Sequence, residues 1–170
     1  MEDILDVIDS IIAEHDVILR RFSALESVSN DVTAIGAYKQ VRDMTFSPEG
    51  IQHLPQLQKT LEDTNRKLRA HFDREDTALL SAFEQHGDRN LLTAFQSLLA
   101  DHEEIRAQLV RAEESVSRLR GGGTSQGDWE KKTKRMRTAI IETRERLAAH
   151  ASAEKDLLMR LRGDILGRRG

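Results

Sequence analysis

Apolar residues recur along this chain at alternating steps of four and three, the spacing that keeps one face of an α-helix turned toward a core. The first stripe runs Ile4, Ile8, Ile11, His15, Ile18, Phe22 and Leu25. Asn30, Asp31 and Gly36 interrupt it, and a short extra helix is predicted over 32–44, before the break Ser47-Pro48-Glu49-Gly50. A second stripe reads Leu57, Leu61, Thr64, Leu68, His71, Glu75, Leu79 and Ala82. Its helix starts either at Pro55 or at Ser47-Pro48, since proline is tolerated in a first turn, and stops at His86-Gly87. The third runs Leu91, Phe95, Leu98, His102, Ile105, Leu109, Ala112, Val116 and Leu119, up to the glycines 121–123. The fourth opens between Ser125 and Asp128 and continues through Trp129, Thr133, Met136, Ile140, Thr143, Leu147, His150, Glu154, Leu157 and Leu161.

Four such stripes predict an all-α fold, an up-down-up-down four-helix bundle. The second and third connections are short, so the helices they join should be antiparallel. The first is long and accommodates the extra short helical segment between the first two long helices. Residues 1–162 are expected to form the bundle and 163–170 a short C-terminal tail.

Composition narrows the function. A net charge of −3 gives no electrostatic footprint for nucleic acid. There is no cysteine, which rules out a disulfide frame, a thiolate nucleophile and a Cys-ligated cluster. Met1-Glu2-Asp3 is not the basic start of a signal peptide, and no apolar run is long enough to span a bilayer. The expectation is a cytoplasmic protein with neither a nucleic-acid nor a membrane partner.

Six residues on the seams do not belong in an apolar core. His15, His71, His102 and His150 occupy core positions, one per helix, and Glu75 and Glu154 each follow a histidine by four residues. At that spacing the two side chains share one helix face, one turn apart. A buried, unpaired carboxylate is costly, so six such groups in one core need a shared partner, and a pair of metal cations supplies it. Their heights agree. His71 precedes Gly87 by 16 residues and His102 follows it by 15. His102 precedes Gly121 by 19 and His150 follows Gly127 by 23, a mismatch of roughly one turn, ~6 Å. A single core histidine is ordinarily a hydrogen-bonded structural residue; four on four helices, two of them with a glutamate one turn on, point to metal.

The strings Glu14-His15-Asp16, His71-Phe72-Asp73-Arg74-Glu75, Asp101-His102-Glu103-Glu104 and His150-Ala151-Ser152-Ala153-Glu154 resemble the hemerythrin-like, or HHE cation-binding, domains. The ordered set covers residues 15 to 154. The resemblance implies two iron ions held by His15, His71, Glu75, His102, His150 and Glu154, bridged by the two glutamates and by an oxo or hydroxo group. With four histidines and two glutamates the set looks closer to the bacterial iron-centre repair and eukaryotic iron-sensing members than to the oxygen carriers. The implied function is binding of, or reaction with, a small ligand such as oxygen, NO or peroxide, with Phe22, Phe72, Leu98 and Leu147 controlling access. The alternative is an iron storage, donation or sensing module without turnover.

Other candidates are set aside. His53 lies 18 residues before His71, about 27 Å along a continuous helix, so it reaches the site only if 47–55 folds back. His86, beside Gly87, reads as a helix C-terminal residue. Glu103, Glu104, Asp16, Asp73 and Asp76 are candidates for hydrogen bonds to the ligands. The basic run around Lys131 to Arg137 reads as a solvated face.

Overall fold

The computed structural model describes residues 3–41, 48–120 and 126–170, with side chains at 3–33, 54–119 and 127–170. Among the described residues there are only helices. They are α1 (Ile4–Val41), α2 (Pro48–Arg74), a π-helical turn (Glu75–Leu79), α3 (Leu80–His86), α4 (Arg89–Leu99), α5 (Asp101–Arg120) and α6 (Gln126–Arg169).

Capping explains where two of them begin. Asp3 Oδ1 accepts a hydrogen bond from the Leu5 amide at 3.2 Å, and Asp88 Oδ1 accepts one from Leu91 at 2.8 Å. Gly87 ends α3 with an extended backbone (φ −77°, ψ 153°). Glycine is needed there because a Cβ would lie 2.7 Å from the Phe83 carbonyl oxygen.

α6 packs along both α1 and α5, and α2 packs along the same two, closing a ring of four helical columns. Between α1 and α6 the pairs Asp3–Arg169, Asp9–Arg162, His15–Glu154 and Glu26–Arg144 run in opposite order, so these helices are antiparallel. Asn65–Glu113, and Asp76–His102 from the π turn that follows α2, show the same for the second column and α5.

The core has two apolar clusters. One gathers Ile18, Phe22, Leu57, Leu61, Leu68, Ile105, Leu109, Ile140 and Leu147 with their neighbours. The other gathers Val7, Ile8, Ile11, Leu79, Phe83, Leu91, Phe95, Leu158, Leu161 and Ile165. Phe83 and Phe95 stack at 4.2 Å between ring centroids. Buried hydroxyls within the first region satisfy themselves along their own helices: Thr64 donates to the Thr60 carbonyl (2.7 Å) and Thr143 to that of Ala139 (2.6 Å).

Four details depart from the pattern of stripes. Residues 32–41 continue α1 instead of forming a separate short helix, and 42–47 lie outside the described residues. Of the two starts expected for the second helix, the structure has the earlier, at Pro48, which leaves Pro55 inside the helix and is no departure. Residues 163–169 are not a tail but the last turns of α6; Ile165 seals the second cluster and Arg169 pairs with Asp3. The second column passes through a π turn at Glu75, and the third is interrupted at Ala100, immediately before Asp101-His102. Leu98 is half-buried and lies in neither cluster, whereas Phe22, Phe72 and Leu147 are core residues.

Candidate metal centre

In every column a polar step falls between the two apolar clusters. His15 lies between Ile11 and Ile18, Glu75 between Phe72 and Leu79, His102 between Phe95 and Ile105, and His150 with Glu154 between Leu147 and Leu158. All six predicted ligands meet in that layer, each 5% exposed or less.

The histidines aim Nε2 inward. Glu75 lies at the centre and divides its two oxygens. Oε1 faces His71 Nε2 in close contact and His15 Nε2 at 3.3 Å; Oε2 faces His102 Nε2 at 2.8 Å and His150 Nε2 at 4.0 Å. Glu154 Oε2 stands 3.0 Å from His15 Nε2 and 3.5 Å from His150 Nε2. Two donor groups of metal-binding size result: His15, His71, Glu75 and Glu154, and then Glu75, His102 and His150. Only Glu75 belongs to both, the placement of a bridging carboxylate. The grouping also pairs His15 with His71 and His102 with His150, which the spacing of the residues left open.

Behind three of the histidines stands a carboxylate, backed in turn by an arginine. His71 Nδ1 is 2.7 Å from Glu14, which Arg74 holds; His102 Nδ1 is 3.0 Å from Asp76, held by Arg106; His150 Nδ1 is 3.5 Å from Asp101, held by Arg146. A carboxylate accepts, so Nδ1 carries the proton and Nε2 presents its lone pair to the core. Of the five acidic candidates for this role, Asp76 fills it. Glu104 pairs with Arg111, and Asp73 lies 3.8 Å from Arg106. Glu14 and Asp101 carry no mark in the sequence, because each immediately precedes a predicted ligand, a spacing with no helical-face signal of its own. The π turn accounts for Asp76: the wider turn brings consecutive residues onto one side, so Glu75 meets His102 Nε2 while Asp76 meets its Nδ1.

The layer is therefore rich in acceptors and poor in donors. His71 Nε2, Glu75 Oε2 and both Glu154 oxygens are buried without a hydrogen bond. His102 and His150 oppose their Nε2 atoms at 3.2 Å. Among these groups only a proton or a metal cation supplies the missing positive charge. The titration behaviour agrees. Burial disfavours the charged form of His15, yet Glu154 and Glu75 outweigh it and push its pKa up to about 9. His150 is raised for the same reasons, through Glu75, Glu154 and Asp101. Burial acts against ionised Glu75 too, but the surrounding histidines hold its carboxyl well below the usual range. Burial pushes Glu154 up, and His15 only partly offsets it. The donor set fits two metal ions: imidazole and carboxylate, all buried, with one carboxylate common to both groups.

The family model of the hemerythrin HHE cation-binding domain matches residues 6–161. The chain belongs to that family. No curated protein and no solved structure matches it significantly.

His86 closes α3, and α2 runs unbroken from Pro48 through His53 to Arg74, so the 47–55 fold-back is absent over 48–55. The His53 side chain lies outside the described residues.

Proposed function

We propose that this chain is a cytoplasmic, non-haem di-iron protein that binds or reacts with a small ligand such as oxygen, NO or peroxide. The observation that carries it is the buried, acceptor-rich layer in which Glu75 is shared by two histidine pairs. His15, His71, Glu75 and Glu154 would hold one iron, and His102, His150 and Glu75 the other, with Glu154 near enough to His150 to serve both. Iron bound there supplies ferrous–ferric redox chemistry and a coordination position for a small ligand. The protein's own part is to exclude water, with apolar clusters on both sides, and to hold His71, His102 and His150 in the tautomer that donates the Nε2 lone pair. The antiparallel α1–α6 and α2–α5 pairs support an up-down-up-down topology. No helix among the described residues is long and apolar enough to cross a membrane, and none of these features calls for a nucleic-acid partner.

Elemental analysis of protein purified without chelator tests this reading, with about two irons per chain expected on the rule that six ligands suit two metals. At most one metal in fully loaded protein would sink it.

One observation favours a second reading, an iron store, donor or sensor without turnover. The ligands sit in the middle of the core, so metal occupancy would set the stability of the whole bundle. Absorption spectra of the iron-loaded protein with oxygen, NO and peroxide separate the two: unchanged spectra with all three favour the second.

A further inference from the structure

His102 is gripped more completely than its three partners. At its edge, Nδ1 meets Asp76 Oδ1 at 3.0 Å. Against its face lies Phe72, with ring centroids 3.9 Å apart and planes 13° from parallel. Both grips end on one residue. The Arg106 guanidinium lies 5.4 Å above the Phe72 ring, and its Nη2 is 3.4 Å from Asp76 Oδ2. Arg106 stands one turn after His102 on α5, so the helix itself fixes their separation.

We propose that Arg106 is a positioning residue for His102, acting at once through Asp76 and Phe72, and so shapes the metal position formed by Glu75, His102 and His150. The inference rests on the metal-binding reading. An imidazole ligand has two freedoms that matter to a metal: which nitrogen carries the proton, and how the ring turns about its attachment. The carboxylate removes the first by accepting from Nδ1. A stacked, fully buried ring removes the second, because the imidazole cannot turn without displacing Phe72. The guanidinium attracts the π system of Phe72 and neutralises Asp76, so one side chain maintains both constraints. The other two arginine-backed carboxylates, Arg74–Glu14 and Arg146–Asp101, hold their histidines by the edge. Phe72 thus serves as a backstop for a ligand, a different task from the control of access expected of it.

The test compares wild type with Arg106→Met, Arg106→Lys and Arg111→Met, titrated with cobalt(II) alone and followed by its ligand-field absorption. Arg111 is the control: it lies on the same helix and pairs with Glu104, which touches no ligand. Arg106→Met is expected to weaken one of the two cobalt sites by roughly 10–100-fold and alter its bands, leaving the other site and the apo unfolding midpoint near wild type. Arg106→Lys keeps the charge but lacks the fork, and should fall between; should Arg106→Met not fold, it carries the test. Arg111→Met should match wild type. Two tight, spectrally unchanged sites in Arg106→Met would overturn the assignment. If wild type takes up no cobalt, the metal reading fails instead, and the clamp is judged on the apo protein by long-range proton–nitrogen NMR of His102. A single Nδ1–H tautomer that becomes mixed in Arg106→Met upholds it; an unchanged tautomer refutes it.

Discussion

The apolar clusters and the polar layer between them are equally buried and built on opposite principles. Around Phe22 and Leu61, and around Phe83 and Phe95, each side chain is satisfied by its neighbours' contacts, and each buried hydroxyl by a carbonyl of its own helix. In the layer of His15, Glu75 and His150, neighbours bring lone pairs against lone pairs. What that layer lacks is positive charge, which a proton on His15 supplies in part and a metal cation could supply in full. The helices differ in the same way. The first cluster is built on unbroken helix, while the π turn at Glu75 and the interruption at Ala100 both fall at the polar layer. Departures from regular geometry gather where chemistry, not packing, sets the positions.

The comparison is broken most severely from the apolar side. Phe22→Ala opens a cavity in the first cluster and should cost about 3–5 kcal/mol of stability, in apo and metal-loaded protein alike, with metal stoichiometry unchanged. Denaturant unfolding of both forms measures it; loss of metal in a folded Phe22→Ala protein would show that the two regions are not independent.

From the polar side the sign reverses. Replacing Glu75 and Glu154 together by leucine should remove metal binding yet stabilise the apo bundle by ~1–4 kcal/mol, since two buried carboxylates give way to apolar side chains. An apo double mutant less stable than apo wild type by more than ~1 kcal/mol would show that the layer is not held back by its own charges.

The smallest effect sharpens the contrast through pH. In metal-free protein the His15 pKa is raised to about 9 from 6.5. A raised folded-state pKa contributes stability that is fully present below 6.5 and lost as pH rises through about 9. The upward shift of Glu154 acts in the same sense at lower pH. Urea midpoints of the apo protein should therefore fall between pH 6.5 and 9, with the same decline in Phe22→Ala and a flatter one in His15→Leu. Equal slopes in wild type and His15→Leu would mean that His15 is not held protonated.

The six residues of the polar layer were legible because each breaks an apolar stripe. A histidine or glutamate on a seam of Leu, Ile and Phe stands out in a single helix, and agreement in height across two turns then groups them. The carboxylates behind them carry no such mark. Glu14 and Asp101 sit off the seam among many exposed acids, and only the packing of a neighbouring helix gives them a histidine to hold. Asp76 stood among five equivalent candidates until the π turn singled it out.

The helical columns, their buried faces and the residues placed in the polar layer were all determined by the sequence, because they depend on local periodicity, which a linear pattern records. The pairing of the histidines, the division of the two Glu75 oxygens, the chain from Arg106 to His102 and the helical end of the molecule at 163–169 were decided by tertiary structure alone. Each depends on how one helix is rotated and raised against another. At that scale a shift of ~1.5 Å, the rise of a single residue, decides which nitrogen meets which oxygen.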